Sequence, residues 1–165
     1  MFDPLFRWLE STPFSLWMVE SPSLLAFPAV LAAHTIGLGL LAGLCVAFDL
    51  RLLGAAPGVP LASFARFVPV MRFGFWVNVL SGVALVLAYP TKALTNPVFY
   101  VKLLLIATAL VLLRDQLRRV RDGDAGSEAI KARAVASLVV WTAAITAGRL
   151  LAYTCSRLTV DMACL

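Results

Sequence analysis

Residues Ala29–Gly54 read AVLAAHTIGLGLLAGLCVAFDLRLLG, and no charged residue interrupts them before Asp49. A helix rises about 1.5 Å per residue and a bilayer's hydrocarbon core is about 30 Å thick, so roughly 20 apolar residues suffice to cross it. This stretch is long enough. It also holds His34, the only histidine of the chain. Histidine is an uncommon choice for the interior of a membrane span, because a polar group there needs a partner.

The composition agrees with a membrane assignment. The 165 residues are 61% hydrophobic and only 14% charged, and the mean hydropathy is +0.91. Soluble domains carry charge on about a quarter of their residues. A water-soluble fold of this size has too little interior for so much apolar surface, whereas lipid accepts it. The net charge is +5, with a pI near 9.6. The basic residues sit beside apolar spans, the pattern of topology signals and lipid-headgroup contacts rather than of nucleic-acid binding.

Four spans follow, at about 24–48, 68–89, 97–113 and 134–154, in one transmembrane domain. Ser21-Pro22 and Asn96-Pro97 read as helix starts, with a capping side chain followed by proline in the first turn. Gly54 to Pro60 breaks the chain after span one, Tyr89-Pro90 ends span two, and Asp122 to Glu128 is a polar turn. The expected fold class is an all-α, four-helix transmembrane bundle. Residues 1–20 mix Phe2, Phe6, Trp8, Phe14 and Trp17 with charges and lack a signal-peptide pattern. They are expected to form an interfacial amphipathic segment of one or two short helices, on the membrane surface or against the bundle mouth. Residues 155–165 form a tail.

Arg51, Arg66 and Arg72 flank the first interspan loop, and Arg114, Arg118, Arg119, Arg121, Lys131 and Arg133 the third. The richer side should be cytoplasmic, which turns both termini outward.

Polar side chains within the spans fall on stripes. Gly74, Asn78, Ser81 and Gly82 recur at helical spacing on span two, and Thr142, Thr146, Arg149 and Tyr153 on span four. His34, Lys102 and Arg149 fall in the outer halves. If both stripes face inward, a cationic pocket opens outward, lined by His34, Lys102, Arg149 and Thr146, with Asn78 and Ser81 at its floor. No acid lies in the core of any span, and Glu20 at the outer edge is the first candidate to neutralise the cations. Such a pocket suits an anionic group. Haem b is the preferred cofactor and quinone the next, with His34 as metal ligand or hydrogen-bond donor. The plainer reading makes His34 an interhelical hydrogen bond to Asn78, Ser81 or Thr146, and lets Lys102 and Arg149 snorkel to the headgroups.

Other candidates are weaker. Cys45 reads as a core residue, and Cys155 with Cys164 as a disulfide, free thiols or, with Met162, soft copper ligands. Asp49 is expected to pair with Arg51 or Arg72 as a latch between spans one and two. Trp76 and Trp141 are expected to pack in the bundle or face lipid. No acid neighbours His34, and no nucleophile elbow, P-loop or zinc-hydrolase motif occurs. The expectation is therefore a ligand-binding or redox-accessory protein. The alternatives are an assembly subunit that docks another membrane or periplasmic protein through an exposed face such as the Gly39/Gly43 side, and a transporter of copper or small solutes; a homo-oligomer is a further candidate state.

The segments AFDLRLLG (47–54), TNPVFYVKLLLIATAL (95–110) and WTAAITAGRLLAYT (141–154) resemble an uncharacterised family of small four-span bacterial inner-membrane proteins. The resemblance covers most of the chain and implies topology and location rather than activity. It places His34, Asp49, Arg51, Asn96, Pro97, Lys102, Gly148 and Arg149 in recurring segments. Members carry a further histidine near the end of span three, where this chain has LLRDQLRR. In shape the expected bundle is also similar to the membrane part of copper-resistance proteins and to four-helix cytochrome b proteins.

Overall fold

A computed structural model describes residues 3–153. Two short helices, α1 (Asp3–Glu10) and α2 (Pro13–Glu20), precede α3 (Phe27–Leu52). A 3-10 helix over Leu61–Phe67 runs directly into α4 (Val68–Ala88), followed by the short α5 (Pro90–Leu94), α6 (Pro97–Arg121) and α7 (Glu128–Tyr153). Four of these helical stretches are long and apolar enough to cross a membrane. The chain is an all-α, multi-pass membrane bundle.

Helix ends follow local chemistry, with two departures from expectation. Asn96 caps α6, its side-chain oxygen accepting from the Val98 N–H at 2.9 Å. Ser21 does not open α3. Its hydroxyl accepts from the Ser23 N–H in the preceding turn, and α3 starts after Ala26 with Pro28 in its first turn. The third span does not stop at Leu113 but continues for two more turns to Arg121. Arginines there reach water along their stems, so they do not end the helix.

Packing pairs α3 with α4 and α6 with α7 as two antiparallel hairpins, joined mainly along α3 and α7. The helices α4 and α6 scarcely meet. The crossing of α3 over α4 is set by glycines. A Cβ on Gly37 would lie 2.7 Å from the Asn78 nitrogen and 2.8 Å from the Gly74 oxygen, and one on Gly74 would lie 2.8 Å from the Leu40 Cβ. Only bare backbone fits on both helices, as in close-packed membrane helices generally. The Gly39/Gly43 pair faces open space instead. The buried apolar core gathers nearer the other end of α3, around Leu41, Cys45, Phe48, Phe64, Ala109 and Trp141. Trp76, by contrast, is exposed. Large apolar side chains such as Leu80, Leu104, Val111 and Val139 point outward, as lipid allows.

The amino-terminal helices dock on the bundle mouth. Ser15 is buried and its hydroxyl donates to the Ala88 carbonyl at 3.1 Å, and Met18 is fully buried. Trp8, Phe14 and Trp17 stay exposed, as suits residues at headgroup level.

Gly37→Ala and Gly74→Ala should each force α3 from α4 and lower the stability of detergent-solubilised protein by about 1–3 kcal/mol, the usual range for overpacking. Gly39→Ala and Gly43→Ala should leave the thermal midpoint of the monomeric bundle unchanged.

Candidate functional site

The Gly37–Gly74 contact brings His34 on α3 against Asn78 and Ser81 on α4. The imidazole Nδ1 lies 3.1 Å from the Asn78 carbonyl oxygen and 3.1 Å from Ser81 Oγ. The Asn78 side-chain nitrogen donates to the His34 carbonyl at 2.9 Å. The Ser81 hydroxyl proton is already committed to the Val77 carbonyl at 2.6 Å. A backbone carbonyl accepts only, so Nδ1 carries the ring proton and the lone pair sits on Nε2. Lys102 Nζ, from α6, stands 3.5 Å from that nitrogen.

Two glycines lie against this group, and Gly82 makes room for the ring. A Cβ on Gly82 would sit 3.3 Å from His34 Cε1. A Cβ on Gly148 would sit 3.5 Å from Lys102 Cε and 3.6 Å from Nζ, so α7 contributes a flat seat for the lysine stem. Both His34 and Lys102 remain partly exposed. Among the described residues, an imidazole and an ammonium thus meet with no carboxylate paired to either. Glu20 is exposed and forms no ion pair with Lys102.

Of the six residues expected to line one pocket, four are brought together: His34, Asn78, Ser81 and Lys102. Thr146 and Arg149 are not. Both are exposed on α7, with Thr142 and Tyr153 of the same stripe. Thr146 lines an apolar groove of about 650 Å³ between α6 and α7, with Val98, Val101, Leu105 and Leu150, to which neither His34 nor Lys102 contributes. The physical reason is that a threonine in a helix can satisfy itself. Thr142 Oγ1 donates to the Leu138 carbonyl at 2.8 Å and Thr146 Oγ1 to the Thr142 carbonyl at 2.9 Å. The inward face of α7 carries Ser137, Trp141, Ala144 and Gly148. Arg149, near the end of its helix, has the position of a snorkelling cation.

The expected latch of Asp49 is also different. Arg51 turns away, its Nε donating to the Val59 carbonyl at 2.6 Å and its Nη2 to Pro57 at 3.1 Å, and Arg72 is exposed. Asp49 is wholly buried, and Gln116 Nε2 of α6 donates to its Oδ1 at 2.8 Å. The polar link therefore joins spans one and three. Gln116 escaped the sequence reading because it lies beyond the point where span three was expected to end.

Among the described residues no three His, Cys, Asp or Glu side chains come together. Cys45 is buried in the core, while Cys155, Cys164 and Met162 lie outside the described residues. No family model matches the sequence, and neither curated proteins nor solved structures gave a match.

Because the chain has one histidine, the 15N spectrum of histidine-labelled protein contains a single imidazole. It should report the Nδ1–H tautomer, and an Nε2–H ring would contradict the geometry. Asn78→Leu should cost about 1 kcal/mol of stability, the scale of an interhelical hydrogen bond in a membrane, and Ser81→Ala less.

Proposed function

We propose that this protein is a ligand-binding or redox-accessory subunit of the bacterial inner membrane, with both termini outward, and that His34 and Lys102 receive an electron-rich oxygen group of a lipid-borne cofactor. The observation that carries this reading is the convergence of Lys102 Nζ on His34 Nε2 at 3.5 Å with no acid among the described residues paired to either. Lys102 Nζ donates to an oxygen of that group, and the Nε2 lone pair of His34 accepts a proton the group itself carries, as a quinol hydroxyl does. Asn78 and Ser81 fix the ring, so its orientation needs no rearrangement when the ligand arrives.

A quinone headgroup in its quinol form matches this donor–acceptor pair directly. Its hydroxyl oxygen accepts from Lys102 Nζ and its O–H donates to His34 Nε2, while its prenyl tail stays in lipid. The slack contact between α4 and α6 and the partial exposure of both basic groups support access from the bilayer. Haem b makes a stronger demand. Its iron requires the Nε2 lone pair, which the lysine now faces, so Lys102 must swing aside toward a propionate. The Nδ1–H to carbonyl bond is nevertheless the usual support for a ligating imidazole.

Purified protein in mild detergent, titrated with a short-chain quinol under reducing conditions, should bind it. His34→Ala or Lys102→Ala should weaken binding about tenfold or more, as expected for loss of a hydrogen bond involving a charge, worth about 1.5–3 kcal/mol. Thr146→Ala and Arg149→Ala should bind as wild type. A Soret band that vanishes in His34→Ala would replace quinone with haem. Absence of both the Soret band and ligand binding, with a stoichiometric membrane partner retained by His34→Ala, would overturn the cofactor reading in favour of an assembly subunit.

A further inference from the structure

The second polar group of the interior lies some four turns along α3 from His34, about 22 Å at 1.5 Å per residue. Asp49 is fully buried, and so is Gln116, while Ser137 and Trp141 are 1% exposed. Ser137 stands beside Asp49, and Trp141 beside Cys45 one turn earlier on α3. A hydrogen bond from Gln116 Nε2 to Asp49 Oδ1 helps hold the group. Among the described residues four buried polar atoms at this place make no hydrogen bond of good geometry: Asp49 Oδ2, Gln116 Oε1, Ser137 Oγ and Trp141 Nε1. Buried polar atoms are nearly always paired, so such a concentration at one place asks for a ligand.

Its charge defines that ligand. The elements packed around Asp49 present Cys45 from α3, Gln116 from α6, Ser137 and Trp141 from α7, and the rings of Phe48 and Phe64. None of these is a cation. Arg51 is spent on loop carbonyls, and Arg119 and Arg133 bind Asp115, with Arg119 also reaching Asp124. A lone carboxylate without a counter-charge is very unfavourable in such surroundings. Three of the four orphan atoms are oxygens, the donors that hard cations prefer.

We propose that Asp49, Gln116 and Ser137 form a binding site for one monovalent cation, a proton or an alkali-metal ion, between α3, α6 and α7. A proton adds to Asp49 Oδ2, and the resulting O–H donates to Ser137 Oγ, which pairs two of the orphan atoms at once. An alkali-metal ion instead draws on Asp49 Oδ2, Gln116 Oε1 and Ser137 Oγ together. Either cancels the buried charge. The site does not depend on the reading of His34 and Lys102, so the two stand or fall separately.

The test is thermal unfolding of the full-length protein in detergent. In one arm sodium or potassium replaces choline at constant pH and ionic strength. In the other, pH is lowered through neutrality at constant salt. A ligand that binds only the folded state raises its midpoint by mass action, and a concentration a hundred times the dissociation constant should give about 5 °C or more for a chain of this size. A rise in the first arm assigns an alkali-metal ion, and a rise in the second alone assigns a proton. Asp49→Asn preserves the shape and an acceptor for Gln116, and should unfold independently of the cation. Ser137→Ala should respond only at severalfold higher cation concentration, a result that also serves if Asp49→Asn fails to fold. A wild-type midpoint flat in both arms would overturn the proposal. So would a response that Asp49→Asn or Ser137→Ala shares in full.

Discussion

Two side chains of α6 reach α3 across the interior, Lys102 to His34 near one end and Gln116 to Asp49 near the other. These helices lie diagonally opposite and run in the same direction, and their backbones make little contact. Apolar attraction does little to fix their relation, because lipid tails compete with leucine for leucine. Polar groups withdrawn from water do more, since each has few acceptable partners. The two links are separated by nearly equal lengths of both helices, about 21–22 Å at 1.5 Å per residue. A one-turn slip of α6 along α3 would break both. Together they specify register in a bundle whose apolar side chains hardly distinguish one register from the next.

How much of this was legible in the sequence depends on what each residue needed from its surroundings. The four spans were visible because apolar length alone decides them. His34, Asn78 and Lys102 were visible because a histidine, an amide and an ammonium cannot satisfy themselves within a helix, whereas Ser81, whose hydroxyl donates to the Val77 carbonyl of its own helix, was found through its helical spacing from Asn78. Thr142 and Thr146 misled for the opposite reason: their hydroxyls use carbonyls of their own helix, so polarity says nothing about which way they face. Arg149 misled because a long stem separates where an arginine starts from where its charge ends.

The glycines taught a similar lesson. Gly39 and Gly43 carry the familiar small-residue spacing and touch nothing, whereas Gly37 and Gly74, on different helices, make the crossing. A contact between helices depends on a residue from each, and spacing within one helix cannot reveal the pairing. Gly148 shows the same limit, because its meaning as a seat for Lys102 lies entirely in the neighbouring helix. Asp49 and Gln116 were hidden in another way. Each stands close to charged residues in sequence, where a surface ion pair is the ordinary assumption, yet both end up in the interior.

The distribution of packing gives the two polar groups different characters. Around Asp49 the core is dense, with Phe48, Trp141 and Ile130 excluding other molecules, so only a ligand as small as an ion can take part there. Around His34 the lining is small, with Gly82 and Gly148 against the ring and the lysine, and α4 stands slack against α6. Close packing is what makes an interior unable to rearrange. The acid is therefore fixed by dense apolar packing, whereas the histidine is fixed by the Gly37–Gly74 crossing and by its bonds to α4, with α6 reaching it through the lysine.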